Sequence, residues 1–187
     1  DQVTWNLSQG QGPFSSIVPP YQPANYFGWH LYGLLTLFVP FYRVVPWAGW
    51  FVLGQAAVLA AGAWPVYRAT RALGSEPQAA FWWGVAYLFN PFLIATSAHD
   101  FHPQSQGCFL IALAAWGVAA RRGGLFAVAL GLLAVTQEHY GAAIAGFGVT
   151  WWWVTGQRGR GALVAAAGVG VLVTVLFVIV PAIRGGP

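Results

Sequence analysis

The chain has 187 residues, of which 58% are hydrophobic and only 6% charged, too little polar surface to coat a soluble globule of this size. An ordinary water-soluble domain is thereby excluded, and the composition reads as an integral membrane protein. The net charge of +4 comes from eight Arg, with no Lys, against two Asp and two Glu, and this sparse scatter cannot track a nucleic-acid backbone, so nucleic acid is excluded as a partner.

Residues 1–28 are rich in Gly, Pro, Gln and Ser with aromatics between them, and read as an ordered loop. Residue 1 opens within this polar, aromatic stretch without an initiator Met, which reads as part of a longer chain. Apolar segments follow at about 29–42, 47–67, 79–98, 103–120, 123–136, 140–155 and 161–183. Roughly 20 apolar residues cross a hydrocarbon layer of about 30 Å, so the runs at 47–67, 79–98, 103–120 and 161–183 are expected to be full spans. The segment at 123–136 ends in "TQEHYG", and with 140–155 it forms either two tight spans or one hairpin with a polar tip. The expected fold is all-α, a polytopic transmembrane helix bundle of about 5–7 membrane segments in one domain spanning 1–187, with a polar outer-face loop at its start. Small residues Gly141, Ala145, Ala165 and Gly168 are spaced for close helix packing.

Arginine sets the orientation. Arg68 and Arg71 follow one span, Arg121 and Arg122 another, and Arg158 and Arg160 a third, with intervening turns between them, which makes those three short loops cytoplasmic by the positive-inside rule. Residues 1–28, 99–103 and 137–139 then fall on the non-cytoplasmic side, together with Asp1, His30, His99, Asp100, His102, Glu138 and His139. Ionisable groups are costly at a membrane unless used, so their segregation marks a polar site on that face. His99 and His102 share a face in any helical turn, Asp100 between them can orient an imidazole, and Glu138 and His139 can complete the set. These groups suit a divalent metal such as zinc or manganese, a hydrogen-bonded turn, or a metal-free substrate site, and spacing does not choose among them. Arg43 and Arg184 stand at the outer rim against the arginine pattern, where a guanidinium fork either grips a phosphate or snorkels to the interface.

The succession "DQVTWNLSQGQGPFSS", "NYFGWHLYGLLTLFVPFY", "HDFHPQ" and "TQEHYG" resembles the predicted membrane proteins grouped as domain of unknown function 2079, from residue 1 to about 183, with "DFHP" at 100–103 as its most specific part. That family is similar to the GT-C glycosyltransferases, which take a sugar from a polyprenyl-phosphate carrier at the outer membrane face. The resemblance implies a bacterial inner membrane, a GT-C-like bundle at 47–183, and an outer loop with surface-lying helices at 1–46. It implies Asp1, Asp100 and Glu138 as catalytic carboxylates, and His30, His99, His102, His139, Arg43 and Arg184 as groups that steady the phosphate. Gln104 stands where the family usually has Glu, and Gln137-Glu138-His139 where it usually has Lys-Glu-Asp. A non-catalytic accessory or scaffold subunit, packed against other membrane subunits of a photosynthetic or respiratory complex, is the alternative function.

Overall fold

The structure, a computed structural model, describes residues 1–17, 24–98 and 100–184. Its first layer is α1 (Gln2–Ser8) against a short antiparallel pair, β1 (Phe14–Ser15) and β2 (Ala24–Asn25), with Phe14 opposite Asn25. Polar side chains of α1 tie the two together: Asn6 Nδ2 donates to the Phe14 carbonyl at 2.9 Å, and Gln2 Oε1 accepts the Ser16 N–H at 3.1 Å. Asn25 Oδ1 then accepts the Phe27 N–H at 3.1 Å and opens a single 3₁₀ turn, Tyr26–Gly28. A second 3₁₀ stretch, Gly33–Phe38, runs into α2 (Val39–Val44), whose Pro40 stands in the first turn where a missing N–H costs nothing. Val3, Tyr32, Leu35, Phe38 and Tyr42 are buried together with Phe51 of the next helix. This layer is therefore fastened onto the bundle by an aromatic core.

The bundle begins with α3 (Gly49–Ala61) and α4 (Ala63–Ala72), which together form a run of 24 residues long and apolar enough to cross a membrane. Pro65 has no N–H to give the Ala61 carbonyl, which accounts for the interruption at Gly62. The expected single span at 79–98 is instead two helices, α5 (Pro77–Leu88) and α6 (Pro91–Ala98), bent by 43°. Pro91 cannot donate to the preceding turn and pushes Asn90 away from helical geometry, and Asn90 Oδ1 caps the new helix by accepting the Phe92 N–H at 2.9 Å. After a 3₁₀ turn at Pro103–Ser105 come α7 (Gln106–Ala119), α8 (Gly123–Ala134) and α9 (Tyr140–Thr155). The last run, Arg158–Arg184, is 27 residues long and apolar enough to cross: α10 (Arg158–Thr174), a π turn at Val175–Ile179, and α11 (Val180–Arg184). Among the described residues, two helices have membrane-crossing length and composition, or three if the bent pair is one span.

The segment expected as a full span at 103–120 is shorter than that. Its α-helix, α7, has 14 residues, a rise of about 21 Å against a hydrocarbon layer of about 30 Å. Its apolar character serves the protein interior. It packs against α3, α4, α8 and α9, and Leu110, Leu113, Ala114 and Trp116 are buried with Phe126, Leu133, Ile144 and Trp151. Apolar side chains on the outside, such as Val52 and Leu53 on α3, Trp82 and Trp83 on α5 and Phe177 near the end, form the surface that lipid covers. The expected close packing is present between α9 and α10: a Cβ built on Gly168 would lie 2.4 Å from the Ala145 nitrogen, and one on Gly148 would lie 2.4 Å from the Ala165 nitrogen. Backbone therefore meets backbone along this seam.

The polar turns divide between the two ends of α7–α9. Arg68 stacks over Trp116 near the end of α7, and Arg121 Nη2 donates to the Val154 carbonyl near the end of α9, which gathers the arginine-bearing turns at one end. At the other end, Tyr140 O–H donates to the Gln104 carbonyl at 2.7 Å, so the "DFHP" and "QEHY" turns are neighbours.

Candidate functional site

Residues from the first layer and the α8–α9 turn meet around Glu138. The turn is tightened by Thr136, whose hydroxyl donates to the Leu132 carbonyl at 2.8 Å and leaves Gln137 and Glu138 buried. His30 Nδ1 lies 2.5 Å from Glu138 Oε1, and the Leu31 N–H donates to Oε2 at 3.2 Å. A carboxylate only accepts, so the Nδ1 hydrogen belongs to this bond and Nε2 carries the free lone pair of the neutral ring. Glu138 is 5% exposed whereas the His30 side chain is 46% exposed, which makes the imidazole the reachable member of the pair. Burial pushes the Glu138 carboxyl upward, but the hydrogen bond from His30, a backbone N–H of its own, the His30 charge and the Leu31 N–H together hold it below its ordinary 4.5. It is ionised at neutral pH.

Aromatic rings frame this pair. Tyr32 stacks on Tyr26 with ring centroids 5.6 Å apart and lies 5.5 Å from the His30 ring, and Gln137 Nε2 donates to its hydroxyl at 3.4 Å. Burial, with Tyr26 and Glu138 alongside, pushes the Tyr32 phenol up to about 12, so it stays a neutral hydroxyl. His139 rests against Tyr140, ring centroids 4.2 Å apart. Its imidazole is lowered by burial, with Glu138 pulling upward and His30 downward.

The "DFHP" turn is positioned by Gln55, a 2% exposed amide on α3. Its Nε2 donates to the Thr96 carbonyl at 3.0 Å and its Oε1 accepts the His102 N–H at 2.9 Å, so one side chain holds both flanks of the turn. His102 Nδ1 faces the Asp100 carbonyl at 2.5 Å, which again leaves Nε2 as the free nitrogen. His102 lines a cavity of about 320 Å³ with Thr96, Gln104, Ser105, Cys108 and Tyr140. Asp1 lines another, of about 200 Å³, with Tyr26, Phe101 and Pro103, so α1 and the "DFHP" turn share a cavity. An apolar cavity of about 340 Å³ is lined by Leu34, Leu37 and Phe38 from the segment after His30, Phe109 from α7, and Leu132 from the helix that leads to Glu138.

Of the residues expected from the sequence, His30, Glu138 and His139 come together, while Asp100 touches His102 through its backbone and keeps an exposed carboxylate. His99 lies outside the described residues. Arg43 is exposed in the last turn of α2. Arg184 Nε donates to the Gly28 carbonyl, and its guanidinium lies 4.8 Å from the Trp29 ring, which anchors the end of the last helix beside His30. Among the described residues, no three of His, Cys, Asp and Glu converge as a metal site. Sequence reasoning missed Gln55, Tyr32 and Gln137; for Gln55 the signal was there, a lone amide inside the apolar run at 47–67.

No curated protein and no solved structure matches this chain. A family model does, over residues 1–186, and with its membrane-crossing helices and its "DFHP" turn the chain belongs to the family described as Predicted membrane protein (DUF2079).

Proposed function

We propose that the chain is a GT-C-like glycosyltransferase that takes a sugar from a polyprenyl-phosphate carrier at the non-cytoplasmic face of the membrane. The observation that carries this reading is the His30–Glu138 pair, with an apolar cavity lined by Leu34 and Leu132 from the same two chain segments. An exposed imidazole oriented by a buried carboxylate suits a general base, and an apolar cavity lined by the segments that carry the pair suits the lipid end of the donor. An acceptor hydroxyl attacks the anomeric carbon, its proton passes to His30 Nε2, and the bond from that carbon to the carrier phosphate breaks with the phosphate leaving on the lipid. Glu138 holds the imidazolium that forms. Asp1 and Asp100 supply carboxylates for the acceptor, and His102, His139, Arg43 and Arg184 are the groups that steady the departing phosphate, the two arginines as its cations.

The test is release of polyprenyl phosphate from a polyprenyl-phosphate hexose by the full-length protein in detergent, followed by mass spectrometry. Loss of a general base slows such steps about 100-fold or more, so His30→Ala and Glu138→Gln should fall by that factor. Release no faster than in protein-free controls, with other membrane subunits co-purifying at fixed stoichiometry and no bound carrier lipid, would assign the chain to an accessory role instead.

A further inference from the structure

The arginine-bearing end of the bundle holds a cavity of about 410 Å³, at the opposite end of α7 from the histidines. Arg68 and Arg71 from α4 and Arg122 from the α7–α8 turn line it, together with Tyr67 and Trp116. Among the described residues no carboxylate pairs with any of the three arginines. Trp116 holds two of them: the guanidinium carbons of Arg68 and Arg122 lie 4.9 Å and 5.5 Å from its ring centroid. Trp64, packed edge-on against Trp116 at 4.8 Å, takes the other contact of Arg68 at 5.7 Å. Arg71 Nη1 donates to the Ser75 carbonyl at 2.8 Å, which fixes that side chain across the turn.

A preference for arginine at one membrane face explains why these residues are present, but arginines that merely snorkel splay toward water and away from one another. Here three like charges converge on one cavity and are held there by indole rings and a carbonyl. The convergence is unfavourable by itself and becomes favourable when an anion with several acceptor oxygens enters, because guanidinium forks match phosphate oxygens two at a time. Leu73, 71% exposed, directly follows Ala72 of the cavity wall, and Trp64, 52% exposed at the start of α4, contacts Arg68, so the cavity adjoins exposed apolar surface. We infer that this cavity binds a phosphate group, presented by the headgroup of an anionic membrane lipid. The site is separate from the one read as the transfer site and does not depend on that reading.

The test uses the full-length protein in detergent, with native mass spectrometry of bound phosphatidylglycerol against phosphatidylcholine. Each cation near an anionic headgroup contributes roughly fivefold in affinity, so the Arg68→Gln/Arg122→Gln double variant should lose phosphatidylglycerol by about 30-fold, while Arg160→Gln, which does not line the cavity, should keep it. Arg122→Gln alone, in an exposed turn, guards against misfolding of the double variant and should lose about fivefold. In a parallel arm inorganic phosphate is titrated into delipidated protein. Saturable phosphate binding that the double variant loses, without preference between the two lipids, upholds the phosphate site and moves its source to a soluble anion. Equal retention of both lipids together with no phosphate binding overturns the inference, as does unchanged phosphatidylglycerol retention in a double variant whose unfolding midpoint matches the parent.

Discussion

The seam between α9 and α10 makes a sharp prediction because two glycines on the same helix, two residues apart, are in opposite situations. A Cβ on Gly168 would stand 2.4 Å from the Ala145 nitrogen and 2.6 Å from the Gly141 carbonyl oxygen, both backbone atoms that cannot swing aside, whereas a Cβ on Gly170 meets nothing within 4 Å. To restore ordinary contact the helices must part by about 1 Å, and separation there also loosens the backbone contacts at Gly148 and Gly161. Overpacking of this kind costs about 1–3 kcal/mol, while replacing Gly by Ala inside a helix gains about 1 kcal/mol from propensity. Both variants receive the propensity gain, so the difference between Gly168→Ala and Gly170→Ala isolates the steric cost. Thermal unfolding of the two purified proteins in the same detergent should show Gly170→Ala at or above the parent and Gly168→Ala lower than Gly170→Ala by several degrees, at about 2–4 °C per kcal/mol for a chain of this size. Equal midpoints would refute backbone-to-backbone packing at this seam.

Two further outcomes follow from the polar end. Glu138 titrates below its ordinary 4.5 in the folded protein, so its contribution to stability is complete above that value and is lost as the pH falls through the lowered one. The gap in unfolding midpoint between the parent and Glu138→Gln should therefore stay constant from neutral pH to about 5 and close in more acidic buffer; a gap that widens on acidification contradicts the assigned charge state. Replacing Gln55 by Leu removes both bonds that flank the "DFHP" turn and should cost about 1–3 kcal/mol. Hydrogen exchange at the His102 amide should accelerate while α8 stays protected, and unchanged exchange at His102 would show that Gln55 does not hold the turn.

The sequence was informative where membrane physics leaves one solution. The run at 140–155 is α9 to the residue, and 161–183 lies within the helical stretch Arg158–Arg184, since apolar length and flanking Arg and Gly fix both ends. It was less informative where an apolar residue has two uses. Leu110 and Trp116 are as hydrophobic as Trp82 and Trp83, yet the first pair fills the interior and the second faces outward, and hydropathy does not distinguish lipid from protein. The Asn90-Pro91 break was written plainly but masked by the apolar residues on either side of it. Topology reasoning placed His30 and Glu138 on one side of the membrane. That they form a pair across 108 residues depends on how the first layer folds down onto the α8–α9 turn, which no local pattern records.

The shortness of α8 has a consequence for the surrounding lipid. Twelve residues rise only about 18 Å, and the helix presents Val128 and Leu132 outward between Arg122 at one end and the Thr136–Glu138 turn at the other. A hydrocarbon layer of about 30 Å cannot match that length without deforming, and fitting the layer to a short segment by local thinning costs only fractions of a kcal/mol per Å. Hydrocarbon that meets this flank thins toward the helix length, which draws headgroups in toward Arg122 and the Thr136–Glu138 turn.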